Sequence, residues 1–431
     1  MRYGKFLPDN GTIGFLAPSF GCVIEPYATL FDSALRKFAD LGYKSVLGPN
    51  CRVDAAIGRS NRADLCGREL TESLLSTESD VLISCGGGEL MCEILPFVDW
   101  DALKKAPPKW YLGYSDNTNY TFLAATLLDT AAIYGPCAAS FGQEPWHLAL
   151  TDALSLLRGK KLSFSGYTLF ERESLKDSEH PLASYNVTEK TSYRCFAPAN
   201  SCSPEMPVSS TANAGSPEAS SPTNACSRSY ESSSRNLIDK CSDPCLPLQG
   251  EVARRSRDGE GPRGGEKTYT PAAFPETPAP LPECSLLETD HLTLSGRLLG
   301  GCIDCLSNLV GTRFDKVTDF IEKYKQDGIL WFLESCDLNP MSLRRALWQM
   351  RMAGWFANAS GFLFGRPLHL GEELMGLDMV TAVTGVLGDL GVPILFDADF
   401  GHLPPAIPII TGALGNVTAD REHLSITYTL A

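Results

Sequence analysis

Positive charge is in short supply in this chain: 37 Lys and Arg face 51 Asp and Glu, for a formal net charge of −14. Gripping a phosphate backbone takes clustered cations that release counterions, so nucleic acid is not expected as a partner. Long hydrophobic runs are missing too. No stretch reaches the roughly 18 consecutive apolar residues of a membrane-spanning helix. The opening MRYGKFLPDNGTIGFLAPSFG is broken by Pro8, Asp9, Asn10 and Pro18, where a secretory signal would need an unbroken apolar core. No membrane partner is expected, and the chain reads as soluble and cytoplasmic. Histidine is sparse: His147, His180, His291, His369, His402 and His423 are the only imidazoles that could serve as a base.

The 15 cysteines are an odd number, and Cys85, Cys92 and Cys137 sit inside apolar runs, which suits reduced thiols rather than a disulfide framework. Cys302 and Cys305 form a CxxC one helical turn apart in GGCIDCLSNLVGT. No second Cys or His pair stands at zinc-ligand spacing from them, so buried small residues are expected there and no metal.

With 431 residues, 43% of them hydrophobic, the chain can bury a sizeable core and has room for two domains. Apolar runs (TIGFLAP, SVLGP, DVLISCGGG, WYLGYSD) alternate with helix-length amphipathic stretches such as YATLFDSALRKFADLGY. That alternation implies βαβ units, and predicts an α/β domain over 1–150 with an open, mainly parallel sheet flanked by helices. Residues 151–196 begin a second domain. Over 197–283 the composition turns to Ser, Pro, Asn, Ala and Gly, too little apolar surface to offset chain entropy, and a disordered insertion is expected; its Cys241 and Cys245 read as incidental thiols. The second α/β unit resumes over 284–431, with strand-like GILWFLES, GFLFGRP and VPILFDADFG between helical segments.

In YLGYSDNTNYTFLAATLL an apolar strand ends at Gly113, Ser115 follows, and a helix begins at once. A serine there sits at the carboxyl edge of a sheet, where open α/β folds bind ligands. On spacing alone it reads first as a cap for the helix, and GYSDN is not the hydrolase GxSxG, so both readings stand. The Gly86, Gly87 and Gly88 run lets backbone N–H groups approach a ligand, or simply makes a tight turn, and carries neither nucleotide-loop spacing, GxGxxG nor GxxxxGK[ST]. A serine nucleophile needs a base and an orienting carboxylate. His402, in DADFGHLPPAIPI, and Glu334, ending ILWFLES, each lie where a strand gives way to a loop, open to a structural as well as a catalytic reading.

Taken together, GFLAPS, the RADL stretch from Arg62 to Leu65, SCGGGELMCEILPFVDWD, PKWYLGYSDNT, YGPCAASFG, GRLLGGCIDCLSNLVGT, ILWFLESCD and FDADFGHLPPAIPIITG resemble the LD-carboxypeptidase family, peptidase family S66, which also contains the microcin C self-immunity proteins. The pieces occur in the family's order and span nearly all of the chain outside the insertion. The resemblance implies a Ser115, His402 and Glu334 triad, with an oxyanion hole from the Asp116 N–H and an N–H of the Gly86 and Gly87 turn. It implies a serine carboxypeptidase or amidase that needs no cofactor or metal, assembles as a homodimer, and has a smaller C-terminal α/β domain containing a barrel-like sheet. The substrate it implies is small: first the terminal L,D bond of a murein tetrapeptide, then the amide of a peptidyl-nucleotide or aminoacyl-nucleotide. A non-catalytic nucleotide-binding or binding-module relative is the reading from another class.

Overall fold

The computed structural model describes residues 1–199 and 286–431, so most of the expected 197–283 insertion, with Cys241 and Cys245, lies outside the described residues. The chain begins with β1 (Thr12–Leu16), β2 (Lys44–Leu47), β3 (Val81–Ser84), β4 (Tyr111–Gly113) and β5 (Ala132–Tyr134), interleaved with α1 (Tyr27–Asp40), α2 (Ala63–Leu75), α3 (Trp100–Lys105) and α4 (Thr118–Leu128). There follow α5 (Leu148–Leu157), β6 (Ser163–Ser165), β7 (Leu169–Glu171), β8 (Val187–Lys190), β9 (Arg194–Pro198), β10 (Leu286–Thr289) and β11 (His291–Cys302). The remainder is α6 (Ile303–Leu309), α7 (Val317–Lys323), β12 (Ile329–Glu334), α8 (Pro340–Met352), β13 (Ala359–Gly365), α9 (Met379–Leu387), β14 (Ile394–Ala398), β15 (Ile409–Thr411), β16 (Leu414–Asp420) and β17 (Leu424–Thr429).

The expected α/β architecture is present. The first sheet runs β15-β5-β4-β3-β1-β2, parallel throughout except where β15 joins β5 antiparallel. Its inner strands VLIS and YLG are buried along their whole length, as expected for a sheet covered on both faces. α1 shows why such helices form: Leu30, Phe31, Ala34 and Phe38 recur at helical spacing and are all buried. α4 has no polar stripe, and its burial is correspondingly almost all round, from Thr118 through Ala125 and again at Leu128.

The second sheet runs β10-β9-β14-β13-β12-β11-β16-β17-β6. β11 to β14 are parallel, and antiparallel strands extend the sheet on both sides. It curls far enough for the Cys195 thiol of β9 to reach Ala419 O of β16, at 4.0 Å. α4 connects the layers: the Thr118 hydroxyl accepts from Cys302 N–H at 3.0 Å. A Cβ at Gly301, whose φ is +140°, would collide with Thr118, so only glycine lets β11 pass this close.

The segment from β14 to β15 crosses between the sheets, leaving the second at Ala398 and entering the first at Ile409, which pairs with Tyr134. This crossing carries His402. Among the described residues no helix is long and apolar enough to cross a membrane.

The insertion leaves from β9 and returns on β10, and these strands are antiparallel neighbours with Pro198 opposite Leu286. Its ends therefore meet without help from the residues between them. Replacing 201–284 with a short glycine-containing turn is expected to preserve the fold and, through the smaller closure entropy of a short loop, to raise stability by no more than about 2 kcal/mol. The midpoint of urea unfolding checks this; a large drop would show that the segment supplies part of the core.

Candidate active site

β4 delivers Ser115 through a sharp turn. Ser115 has φ +62°, a left-handed conformation uncommon for a side-chain-bearing residue. Such strain concentrates at sites where a side chain must be presented in one direction. Its Oγ lies 2.9 Å from His402 Nε2, and no side chain caps α4, so the capping role open at Ser115 is not the one it plays.

The turn around Ser115 is held by its neighbours. The buried Asp116 carboxylate accepts from the Ser19 hydroxyl, from Met91 N–H at 2.8 Å and from Asn119 Nδ2 at 2.9 Å. Asn117 Nδ2 donates to Gly86 O at 2.9 Å and to Tyr114 O at 3.0 Å, while its Oδ1 accepts from Tyr111. These bonds fasten the Ser115 turn to the glycine run after β3. A Cβ at Gly87 would stand 3.2 Å from Ser115 Cβ and 3.3 Å from its Oγ, so the backbone of that run lies directly beside the serine.

Glu334 ends β12, with 1% of its surface exposed. Its Oε2 accepts from His402 Nδ1 at 2.8 Å and its Oε1 from the Tyr134 hydroxyl at 2.5 Å. Tyr134 in turn accepts the backbone N–H of Ser115 at 3.2 Å, linking carboxylate and serine by a second route. A Cβ at Gly401, whose φ is +106°, would fall 2.9 Å from Glu334 Oε2, so the residue before His402 has to be glycine. The loop carrying His402 is anchored by Asp399, which pairs with buried Arg366 at 2.5 Å and accepts from Tyr167 N–H at 2.8 Å and from the Tyr193 hydroxyl at 2.5 Å.

Burial alone would push the Glu334 carboxyl up, but the facing His402 imidazole and the hydrogen bonds it accepts outweigh this and hold it below the usual range. For His402, burial acts to lower the pKa and the Glu334 carboxylate more than offsets it, leaving the imidazole well above its ordinary value. Both directions follow from one buried pair that favours imidazolium and carboxylate together.

The other histidines are occupied elsewhere or exposed. His147 accepts from Ala149 N–H at the start of α5. His180 pairs with Asp177, His369 with Glu372 and His423 with Asp420, while His291 is exposed at the start of β11. Cys302 and Cys305 are buried. Ligand atoms of Cys302, Glu334 and His402 lie within 4.8 Å of one another. Glu334 and His402 already satisfy each other, however, and a hydrogen bond with Cys305 together with burial pushes the Cys302 thiol up.

Sequence reasoning placed Ser115, His402, Glu334, Asp116, Gly86 and Gly87, and the structure brings all six together through the Ser115–His402–Glu334 series and the packing of the glycine run against the Ser115 turn. It missed Tyr134, Asp399, Ser19 and Asn117. The signal for Tyr134 was present in YGPCAASFG, as a tyrosine ending a strand next to the one that delivers the serine.

A serine, an imidazole and a carboxylate in hydrogen-bonded series at the carboxyl edges of α/β sheets form the kind of site that serine hydrolases use. The chain belongs to the LD-carboxypeptidase family: the family's N-terminal domain matches residues 13–135 and its C-terminal domain 295–417. Over 173 residues the chain is 34% identical to the microcin C7 self-immunity protein of Escherichia coli, a stretch covering 39% of this chain and 49%, about half, of that protein. The fold is that of an MccF-like protein from Bacillus anthracis, with TM-score 0.65 and 16% identity over 100% of both chains. It is also that of a microcin C7 self-immunity protein in complex with aspartyl sulfamoyl adenosine, with TM-score 0.64 and 16% identity over 99% of this chain and 98% of that one.

Tyr134→Phe would leave the second oxygen of a buried carboxylate and the Ser115 N–H without their partner. It is expected to lower stability by about 1–3 kcal/mol, read as an earlier urea midpoint. An unchanged midpoint would show that these two bonds contribute nothing net.

Proposed function

We propose that the chain is a serine amidase in which Ser115 attacks a carbonyl, His402 accepts the proton and returns it to the leaving amine, and Glu334 holds the imidazolium. The observation that carries this reading is the unbroken series from Ser115 Oγ to His402 at 2.9 Å and from His402 to Glu334 at 2.8 Å. The tetrahedral oxyanion would be held by the Asp116 N–H and an N–H of the Gly86 and Gly87 turn, each such donor worth about 3 kcal/mol of barrier. A non-catalytic relative would have no use for the strained Ser115 backbone or for a buried carboxylate aimed at an imidazole.

Of the expected substrates, the aminoacyl-nucleotide amide moves ahead of the murein tetrapeptide. It is supported by the 34% identity to a microcin C7 self-immunity protein and by the match to a fold that binds aspartyl sulfamoyl adenosine. The murein L,D bond remains a second reading, favoured by the LD-carboxypeptidase match over both domains. A hydrolysis assay offering an aminoacyl phosphoramidate of adenosine beside a muropeptide tetrapeptide decides between them, and turnover of neither would remove the amidase reading.

Within that assay, Ser115→Ala and His402→Ala are each expected to cost about a millionfold in turnover while the protein stays folded, and the double variant to be no worse, because the base without its nucleophile has no proton to take. Glu334→Gln should be milder. His369→Ala, on an imidazole engaged with Glu372, should leave activity intact; silence from that variant alongside activity from His402→Ala would reassign the base.

The pH dependence carries its own sign. Attack requires neutral His402, whose pKa Glu334 raises, so kcat/KM should climb with pH through a limb lying above the roughly 6.5 of a free imidazole. Glu334→Gln removes the negative charge and should move that limb to lower pH even as the maximum falls. A limb that stays in place would separate Glu334 from the titration of the base.

A further inference from the structure

A cavity of about 280 Å³ opens beside the candidate triad, lined by Tyr134 and His402 together with Glu171, Lys176 and Tyr185. The wall at Tyr185 is held by its neighbours. Tyr185 N–H donates to Gln143 Oε1 at 3.1 Å, and the Tyr185 ring packs 5.7 Å from the His147 ring. Over the Tyr185 ring lies the Lys176 ammonium, 4.5 Å from the centroid.

Lys176 is a half-buried cation, and among the described residues no carboxylate comes within the 4.0 Å of an ion pair with it. Burial pushes its pKa down, with Glu171 acting in the opposite direction. The nearby Glu171 carboxylate is turned to another task, accepting from Asn186 N–H at 2.5 Å. A cation stripped of part of its hydration, resting on an aromatic face and lacking a counter-ion, gains most when an anion arrives. In a chain carrying 51 acidic residues, leaving this ammonium unpaired beside the catalytic cleft is the feature that calls for an occupant.

We infer that Lys176 reads a negative charge on the substrate, a carboxylate or a phosphate-type group, held in this cavity while the scissile carbonyl lies at Ser115. The inference rests on the amidase reading for its catalytic meaning and on the cavity alone for binding. Both candidate substrates supply such a group, as the C-terminal carboxylate of a peptide or the anionic linkage of a nucleotide.

Binding to Ser115→Ala protein, measured by calorimetry, tests the assignment without turnover. One pair of probes is a murein-type tetrapeptide with a free C-terminal carboxylate and the same peptide as its carboxamide. The other is an aminoacyl phosphoramidate of adenosine and an analogue with an uncharged linkage. Adding Lys176→Met should weaken the charged member of at least one pair about tenfold or more and its neutral counterpart less than twofold, with Lys176→Arg retaining most of the affinity. Loss confined to the peptide pair identifies a carboxylate, and loss confined to the nucleotide pair a phosphate-type group. Equal weakening of charged and neutral members, no weakening, or failure of every probe to bind overturns the assignment. If Lys176-dependent binding holds while the unmutated protein hydrolyses none of the probes, the amidase reading falls and the anion site stands.

Discussion

Glu334 sits at the end of a central strand with 1% of its surface exposed, and an uncompensated ionised carboxylate in that position would cost several kcal/mol. Its compensation comes from two directions. Tyr134 reaches it from the first sheet, and His402 from the loop that crosses between the sheets. Neither partner is near Glu334 in sequence, so satisfying one buried charge requires the two layers to be correctly seated on each other. The same seating places His402 Nε2 against Ser115 Oγ. Assembly of the site and completion of the core are thus one packing event.

A second buried pair stabilises the crossing loop. Asp399 and Arg366 are both almost fully enclosed, and Asp399 also receives Tyr167 and Tyr193. Removing one member would leave a charge without its partner, a change that typically costs 3–5 kcal/mol. Three residues further on, His402 inherits this rigidity, while Gly401 allows the backbone to pass against Glu334 where any side chain would collide. An imidazole that must hold a proton between two fixed partners gains from a loop with so little freedom.

The fold was legible in the sequence because its signals are local. Alternating apolar runs and amphipathic stretches mark βαβ units, and the apolar run ILWFL leading into Glu334 reads as a buried strand. The serine, histidine and carboxylate were legible as residues at strand ends, but proposing a catalytic rather than a structural role for each needed the family's motif order. Tyr134, Asp399 and Ser19 stayed hidden for a physical reason. Each acts through a contact made across a long sequence separation, such as the 200 residues between Tyr134 and Glu334, and no local pattern distinguishes a tyrosine that donates to a distant carboxylate from one that merely fills a core. Ser115 itself shows the limit from the other side: Ser-Asp-Asn before a helix reads as a cap, and only the left-handed backbone and the facing imidazole displace that reading.

Residues 200–285, where an insertion is expected, connect β9 to β10, away from the strands that carry the candidate site. In the first sheet Ser115, Tyr134 and the glycine run lie at or after the carboxyl ends of β4, β5 and β3, and in the second Glu334 and the His402 loop lie at or after the carboxyl ends of β12 and β14. These edges meet at the Ser115–His402–Glu334 series, the carboxyl ends of strands being where open parallel sheets favour ligand binding. The insertion enters instead through β9 and β10, and β10 is the outermost strand of the second sheet, with β9, β14 and β13 between it and β12. Added length there must be closed by a strand pair that already exists, and closure entropy grows only by about 0.6 kcal/mol for each doubling of a flexible loop. An edge that no residue of the candidate triad uses can therefore accept added length that the strands carrying Ser115 and Glu334 could not.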